Sequence, residues 1–289
     1  MSEAVYRAPV TVAASEGVVV IEDSAAGRHR PKIDTTVPHS ARLWNYLLGG
    51  KDNYPVDREA AEQALALMPE LVQSARADRE FLGRAVRYLV GEAGVRQFLD
   101  VGTGLPTANN THEVAQAVAP ECRIVYVDND PLVLVHARAL LTSTIEGATD
   151  YIEADVRDPE TILEAAAQTL DFTRPVAIML LGIVNFVVDD DAAYAIVRRL
   201  VDAVPSGSYL AMSHPTTEVN GEAVETSMRM WNESGAEPIT ARTPEQIGRF
   251  FDSLELLPPG VVTCAHWPDD KHAGITDMVS EFSAVGRKP

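Results

Sequence analysis

From Val95 onward the chain alternates short apolar runs with capped helical segments, and this alternation constrains the fold more than any other feature. The apolar runs lie at residues 97–101, 123–127, 151–153, 175–180, 207–213, 260–264 and 277–285. Between them, Asp130-Pro131, Asp158-Pro159 and Thr243-Pro244 place a capping side chain before a proline, as helices often begin. Alternating strands and helices predict an α/β fold, a doubly wound sheet with helices on both faces.

The last two apolar runs are joined by a loop rich in Pro, Asp and His, with little helix signal. Such a loop does not form the right-handed crossover that parallel neighbours need. We therefore predict seven strands, mostly parallel, with the last strand antiparallel. The same loop carries His266, Asp269, Asp270 and His272 on no regular face, so we interpret it as solvated and predict no metal site.

Upstream of this sheet, residues 36–94 show the amphipathic period of helices. Ser40 is placed to cap the first helix, and Gly49 with Gly50 to end it. Residues 1–35 have no clear period apart from the apolar run at residues 18–21, and we interpret them as an extension with one short strand. The predicted organisation is an extension (1–35), a helical lid region (36–94) and an α/β domain (95–289).

Charge and composition exclude several functions. The net charge of the 289-residue chain is −18, which disfavours nucleic-acid partners because their binding depends on Lys and Arg. No apolar run is long enough to span a membrane, and no secretory signal opens the chain. Cys122 and Cys264 form no paired motif, so we expect two reduced core thiols in a cytoplasmic protein.

The residues that follow the first three predicted strands indicate the ligand, because open α/β sheets bind ligands beyond the carboxyl ends of their strands. After the first strand, Gly102 and Gly104 allow a sharp turn and close backbone approach. After the second, Asp128 can accept hydrogen bonds from both hydroxyls of a ribose. After the third, Asp155 can accept from an adenine amino group while the Val156 N–H donates to a ring nitrogen.

This glycine turn is not that of a dinucleotide or a triphosphate site. A dinucleotide fingerprint has a third glycine where this chain has Thr107, which disfavours an NAD-dependent oxidoreductase. No Gly-Lys-Ser/Thr follows the turn, so the phosphate-binding lysine is also missing. The pattern thus indicates an adenosine ligand without phosphates, of which S-adenosylmethionine is the common one.

The turn at residues 100–104, Asp128 and the Ala154-Asp155 pair resemble motifs of class I S-adenosylmethionine-dependent methyltransferases. Upstream, residues 39–54 (HSARLWNYLLGGKDNY) resemble the signature of an actinobacterial family of S-adenosyl methyltransferases of unknown substrate. Residues 99–106, 126–131 and 180–191 resemble the same family. The resemblance runs from about residue 34 to the C-terminus and implies a Rossmann-like fold with S-adenosylmethionine as cofactor.

By this resemblance, Gly102, Thr103 and Gly104 pass under the methionine and ribose of the cofactor, and Asp100 orients its ammonium group. The backbone at Leu181 and Gly182 flanks the methionine end. Asn129 joins Asp128 at the ribose.

The upstream helix and its loop are expected to close over the cofactor. Two glycines, then charged and amide side chains, are more than a plain turn requires, although a simple helix stop is the alternative interpretation. We expect five of these residues to face the methyl-donor end: Tyr46, Gly49, Gly50, Asp52 and Asn53.

The candidate catalytic residues are Asn185 and His214. Many methyltransferases similar to this chain carry a histidine after the fourth strand, where this chain has Asn185. An amide cannot accept a proton at ordinary pH, so a base has to come from elsewhere. His214, after the fifth strand, lies near the pocket by topology, the alternative being a turn histidine before Pro215.

Methyl transfer to a small molecule is the leading hypothesis. Much of the acceleration of this reaction can come from holding the reactants in line, so a dedicated base is optional. A non-catalytic protein that binds S-adenosylmethionine as a sensor or scaffold is the alternative. Aminopropyl transfer is disfavoured because residues 182–188 contain no acids to bind a polyamine. The oligomeric state stays open.

Overall fold

The computed structural model describes residues 11–15, 18–22, 32–106, 108–140, 142–268 and 278–289. The strands are β1 (Thr11–Ser15), β2 (Val18–Glu22), β3 (Lys32–Asp34), β4 (Gln97–Val101), β5 (Arg123–Asp128), β6 (Ala148–Glu153), β7 (Ala177–Leu181), β8 (Tyr209–Pro215), β9 (Glu255–Leu256), β10 (Val262–Thr263) and β11 (Glu281–Arg287). The helices are α1 (Ser40–Leu47), α2 (Pro55–Leu67), α3 (Leu71–Gly91), α4 (Thr111–Val118), α5 (Pro131–Leu140), α6 (Pro159–Ala166), α7 (Asp190–Asp202), α8 (Gly221–Glu233) and α9 (Pro244–Arg249). Short 3₁₀ helices lie at Val184–Phe186 and Cys264–His266.

Among these residues, the main sheet has eight strands in the order β10-β11-β8-β7-β4-β5-β6, with β9 paired to β11. The strands β4 to β8 pair in parallel, whereas β11 runs antiparallel to both β8 and β10. The predicted α/β fold with an antiparallel last strand is therefore confirmed. Its count of seven strands is one short, because β9 has two exposed residues and leaves no apolar run in the sequence.

Strand order reverses beside β4. The chain adds β5 and then β6 on one side of β4, and returns to place β7 on the other side. The connections that leave β4 and β7 therefore diverge, and a crevice forms beyond the carboxyl ends of these strands. The sheet thus presents its ligand-binding edge where the glycine turn follows β4.

Two apolar layers cover the faces of the sheet. One layer joins Phe81 and Leu89 of α3 to Phe98 of β4, and the other joins Leu99 of β4 to Leu200 of α7. Successive strand residues point to opposite faces, so both layers are supplied by the same apolar run. Both cysteines, predicted as reduced core thiols, are buried and free. No described helix is long and apolar enough to cross a membrane.

Two helices begin with the caps that the sequence predicts. The Asp158 carboxylate accepts the backbone N–H of Thr161, and Thr243 forms a capping box with Gln246. The prediction for α1 was wrong by one residue: Ser40 is the first helical residue, and the cap is His39, whose Nδ1 accepts the N–H of Ala41. A histidine nitrogen can accept a backbone hydrogen bond as a serine hydroxyl does.

The N-terminal residues contain more strand than the one short strand expected. β1, β2 and β3 form an antiparallel three-stranded sheet. The rest of the predicted extension, at residues 1–10, 16–17 and 23–31, lies outside the described residues.

A buried carboxylate joins the first two helices. Asp57 is fully buried, and its carboxylate accepts the backbone N–H groups of His39 and Tyr54. It also lies 3.6 Å from Nε of Arg42, which is itself buried in α1. Arg42 in turn donates to the carbonyl oxygen of Asp34 next to α1. These bonds set the position of α1 relative to α2.

Replacing Asp57 with Ala should lower the free energy of unfolding by about 3 kcal/mol, because Arg42 loses a charged partner and two buried N–H groups lose an acceptor. Urea unfolding of wild type and variant measures this loss. The control is Glu59→Ala on the exposed side of the same helix, with an expected change within about 0.5 kcal/mol. Equal effects of the two substitutions would contradict this role of Asp57.

Candidate functional site

A cavity of ≈ 270 Å³ opens between the carboxyl edge of the sheet and the helices α1, α2, α3 and α8. The ends of four adjacent strands, β7, β4, β5 and β6, form one wall, and side chains of the helices form the opposite wall. The predicted site residues that line this cavity are Asp100, Gly102, Thr103, Gly104, Asp128, Asn129, Asp155, Val156, Leu181, Gly182 and Asn185. The structure thus brings most of the predicted set together.

The turn after β4 presents its backbone to the cavity. Gly102 and Gly104 have φ angles of 79° and 66°, a left-handed region that favours glycine. A Cβ on Gly102 would lie 2.6 Å from the Ile183 side chain, so packing also demands glycine there. Beside Gly104 and Gly182 there is open space within 4 Å of a Cβ position, and both have positive φ. These two glycines leave backbone accessible to a ligand.

Asp128 ties the ends of β4 and β5 together. Its Oδ2 accepts the N–H of Gly104 at 2.8 Å, and its Oδ1 accepts the N–H of Asp130 at 2.9 Å. The side chain is 9% exposed, and burial raises the pKa of its carboxyl to about 6. Each carboxylate oxygen has a second lone pair, so the group can still accept hydrogen bonds from a ligand.

Asp100 is the second buried acid of this wall. Its Oδ2 accepts the hydroxyl of Thr111 at 2.6 Å, and burial raises its pKa to about 6. Thr103 stabilises the adjoining turn, since its hydroxyl donates to the carbonyl oxygen of Asp100 at 3.1 Å.

Asp155 lies at the far end of the wall, after β6. The guanidinium of Arg157 donates to its Oδ2 at 2.9 Å, and the amide of Asn129 donates to the same oxygen at 3.4 Å. Arg157 also bonds to the carbonyl oxygen of Phe186 and to the carboxylate of Glu237. Arg157 thus connects strand ends with the segment after α8 at the rim of the cavity.

Helix α1 lines the cavity, but through a different face from the one predicted. Ser40, Leu43 and Trp44 line it, whereas the Tyr46 hydroxyl bonds to Glu62 of α2. Tyr46 is six residues after Ser40 and two after Trp44, so at about 3.6 residues per turn it lies off the face that carries both.

The loop at residues 49–53 does not line the cavity either. The side chain of Asn45 fills the space beside Gly50 and accepts hydrogen bonds from the Asp52 backbone and the Asn53 amide. The structure therefore does not bring Tyr46, Gly49, Gly50, Asp52 and Asn53 to the cavity, and the polar groups of this loop stabilise the loop itself.

His214 does not belong to the cavity. Its side chain is fully buried and lies outside the cavity lining. Its Nε2 lies 2.8 Å from a guanidinium nitrogen of Arg242, and its Nδ1 lies 2.9 Å from the carbonyl oxygen of Pro215. Burial lowers its pKa to about 3. It points to the opposite face of the sheet because it alternates with Ser213, which faces Asp78 of α3.

Asn185 does line the cavity, is 6% exposed, and its Oδ1 has no hydrogen-bond partner. Thr107 and the loop residues Asp269, Asp270 and His272 lie outside the described residues.

The lining residues with functional side chains that sequence reasoning missed include His39, Asp78, Arg79, Arg157, Trp231, Glu237 and Glu281. A signal existed for Asp78, which occupies the apolar stripe of α3 between Ala75 and Leu82. Glu281 likewise opens an otherwise apolar final strand. A charged residue at a core position is the pattern that would have found both.

A search among curated proteins returned no match. Two solved structures are similar over most of the chain. A DUF574-family protein from Streptomyces avermitilis has 48% sequence identity and a TM-score of 0.84, over 89% of this chain and 99% of the other. A candidate methyltransferase from Thermobifida fusca has 43% identity and a TM-score of 0.81, over 88% and 96%.

A more distant S-adenosylmethionine-dependent methyltransferase from Anabaena variabilis, with 16% identity, a TM-score of 0.51 and coverage of 80% and 94%, shares the fold. The model of the family described as S-adenosyl methyltransferase matches residues 26–289. This match covers the helices that line the cavity as well as the whole main sheet. The chain therefore belongs to the S-adenosyl methyltransferase family and is an S-adenosylmethionine-dependent methyltransferase.

Proposed function

We propose that this methyltransferase binds S-adenosylmethionine along the wall formed by the ends of β4, β5, β6 and β7 and methylates a small molecule held against α2, α3 and α8. The observation that carries the proposal is the convergence of Gly104, Asp128 and Asp155 on one cavity. These are the groups that an adenosine without phosphates requires.

The nucleoside end of the cofactor fits the strand ends of β5 and β6. Asp128 would accept the ribose hydroxyls, with Asn129 beside it. Asp155 would accept from the adenine amino group, and the Val156 N–H would donate to a ring nitrogen. In this assignment the hydrogen bond from Arg157 orients the Asp155 carboxylate.

The methionine end fits the turn at residues 102–104 and the backbone of Leu181 and Gly182. The open space at Gly104 and Gly182 lets a ligand approach the backbone closely. The buried Asp100 would attract the ammonium group. When bound, S-adenosylmethionine supplies an electrophilic methyl group, and the chain's own task is to hold it in line with a nucleophile and away from water.

The remaining cavity wall favours a small acceptor. Leu71, Leu82, Val224, Met228 and Trp231 make this wall largely apolar. The helices of the wall restrict access, and the net charge of −18 disfavours a nucleic acid. We place the enzyme in the cytoplasm on account of its two free, buried thiols.

A non-catalytic sensor of S-adenosylmethionine is the second candidate. It is favoured because neither predicted catalytic residue can act as a base at the cavity: His214 is buried outside it, and Asn185 cannot take up a proton. His39 lines the cavity at the start of α1, but its Nδ1 already accepts the N–H of Ala41. A base is not obligatory for this chemistry, because positioning alone can supply much of the acceleration.

Calorimetric titration with S-adenosylmethionine, S-adenosylhomocysteine and NAD should give binding of the first two and none of the third. A methyl-release assay over a panel of small metabolites then separates the candidates. Turnover with a member of the panel supports the enzyme, whereas tight binding without turnover on any acceptor supports the sensor. Binding of NAD in place of the other two would refute both.

The substitution Asp128→Ala should weaken S-adenosylmethionine binding by at least about tenfold, because each charge-assisted hydrogen bond to the ribose contributes roughly 1.5–3 kcal/mol. The matched control is Glu153→Ala, an exposed acid that pairs with Asp128 in the sheet register. Its dissociation constant should equal that of wild type. Calorimetry measures both, with circular dichroism to check the fold, and an unchanged affinity of the Asp128 variant would remove this residue from the site.

The affinity for S-adenosylhomocysteine should fall as the pH drops through 6, because burial raises the pKa of Asp100 and Asp128 to about 6. Both carboxyls are ionised near pH 8 and mostly protonated at about pH 5, where each loses acceptor capacity, so the dissociation constant should rise on the order of tenfold per group. Asp128→Asn should flatten this dependence. A dissociation constant that is the same at both pH values would show that neither carboxylate binds the ligand as an ion.

A further inference from the structure

Two buried carboxyls at one end of the cavity are not used by the proposed cofactor site. Asp78 of α3 and Glu281 at the start of β11 both line the cavity, and each side chain is 5% exposed. Oδ1 of Asp78 and Oε1 of Glu281 have no hydrogen-bond partner. The Ser213 hydroxyl faces the Asp78 carboxyl, but a single hydroxyl can satisfy only one oxygen of the pair of acids. Buried polar atoms in native proteins are nearly always paired, so the remaining oxygens on this cavity indicate a missing donor.

Two other buried side-chain oxygens that line the cavity also lack a hydrogen-bond partner and can accept one. Oγ of Ser74, one turn before Asp78 on α3, is buried and has no partner. Oδ1 of Asn185, across the cavity, is also buried without a partner. A carboxylate and an amide oxygen can only accept hydrogen bonds, and a hydroxyl can accept as well as donate. A ligand that pairs with these oxygens therefore carries several hydrogen-bond donors.

The charge of the ligand follows from the weak compensation of the two acids. In the described part of the chain neither Asp78 nor Glu281 forms an ion pair. The charge of Arg79, the next residue of α3, lowers the pKa of Asp78 without offsetting its burial, and the Arg79 guanidinium donates to the carbonyl oxygens of Ala108 and Asn109. Burial raises the pKa of Asp78 and of Glu281, and the negative charge of Asp78 raises that of Glu281 further. A cation placed between them would relieve this penalty.

The strand order places this pair on the acceptor side of the cavity. β11 and β8 lie on the opposite side of β7 from the strands that carry Asp128 and Asp155. Glu281 faces Pro215 in the register of β11 and β8, at the carboxyl edge of the sheet. Asp78 also interacts electrostatically with Asp100. The pair therefore lies next to the methionine end of the proposed cofactor site and away from its nucleoside end.

We propose that Asp78 and Glu281 bind the cationic amino group of the methyl acceptor, so that this enzyme is an amine N-methyltransferase. The inference rests on the proposed function and adds the class of its substrate. The apolar wall with Met228 and Trp231 would take the hydrocarbon body of the amine. An ammonium group has three donors, which matches the acceptors around it.

The same pair can take up the proton that the amine has to lose before it acts as a nucleophile. The N–H bond breaks with its electron pair left on nitrogen, and the proton moves to a carboxylate oxygen of Glu281. Glu281 interacts electrostatically with Asp78 of α3 and with Cys264 after β10. Asp78 in turn interacts with Arg79 and Asp100, and Cys264 with Arg84. The negative charge of Asp78 favours proton uptake by Glu281.

The test is calorimetric titration of the full chain, saturated with S-adenosylhomocysteine, with two matched pairs of probes. One pair is 2-phenylethylamine and 2-phenylethanol, and the other is hexylamine and hexanol. At least one amine should bind at least about tenfold more tightly than its alcohol, since a charged donor bonds more strongly than a neutral one. Neither amine binding more tightly than its alcohol would overturn the proposal.

Asp78→Asn and Glu281→Gln should each weaken amine binding by at least about tenfold and leave the dissociation constant of S-adenosylhomocysteine unchanged. The control is Glu222→Gln, an exposed acid of α8, which should alter neither. Unchanged amine binding in both carboxyl variants overturns the proposal.

The thermal midpoint separates binding from a structural role. An uncompensated buried acid does not stabilise the empty protein, so the Tm of Glu281→Gln should be equal to or above that of wild type. A lowered Tm together with lost amine binding would assign Glu281 a structural role instead. Failure of the wild type to bind S-adenosylhomocysteine is a different result, which refutes the proposed function itself.

Discussion

The parallel pairing of β4 with β5 on one side and β7 on the other is the constraint on which the site depends. Both faces of a parallel sheet are covered by helices, so ligands gain access only at its edges. Parallel pairing brings the carboxyl ends of all these strands to one edge, and with them the residues that follow each strand. The glycine turn, Asp128 and Asp155 are far apart in sequence and adjacent in space for this reason alone.

The carboxyl edge carries more negative charge than the fold itself compensates. Asp128 holds two backbone N–H groups, and Asp100 holds one hydroxyl, yet burial raises the pKa of both. Asp78 and Glu281 lack even such partners for one oxygen each. A site built in this way is stabilised by ligands that bring positive charge and hydrogen-bond donors, as a sulfonium cofactor and an ammonium substrate do.

For helix α1, the sequence pattern predicted where the helix ends but not which of its faces lines the cavity. Its amphipathic period and its terminal glycines predict a helix that ends near residue 48, and it ends there. Its docking, however, is decided by the buried Asp57 of α2 and by Arg42, which orient one face towards the cavity. The polar loop at residues 49–53 forms hydrogen bonds to the side chain of Asn45. No helical or strand periodicity in the sequence predicts these contacts.

The sequence by itself determined the α/β class, most strand and helix positions, and the strand-end residues that line the cavity, because these depend on local periodicity, capping residues and the residue at each strand end. It also predicted the antiparallel last strand from the character of one loop. Tertiary structure alone decided which side chains share the cavity. His214 lies near the carboxyl end of its strand as Asp128 does, yet strand alternation turns it into the core beside Arg242. Asp78 and Glu281 meet only because α3 packs over the edge of β11, and a contact between distant segments depends on packing geometry that no local pattern encodes.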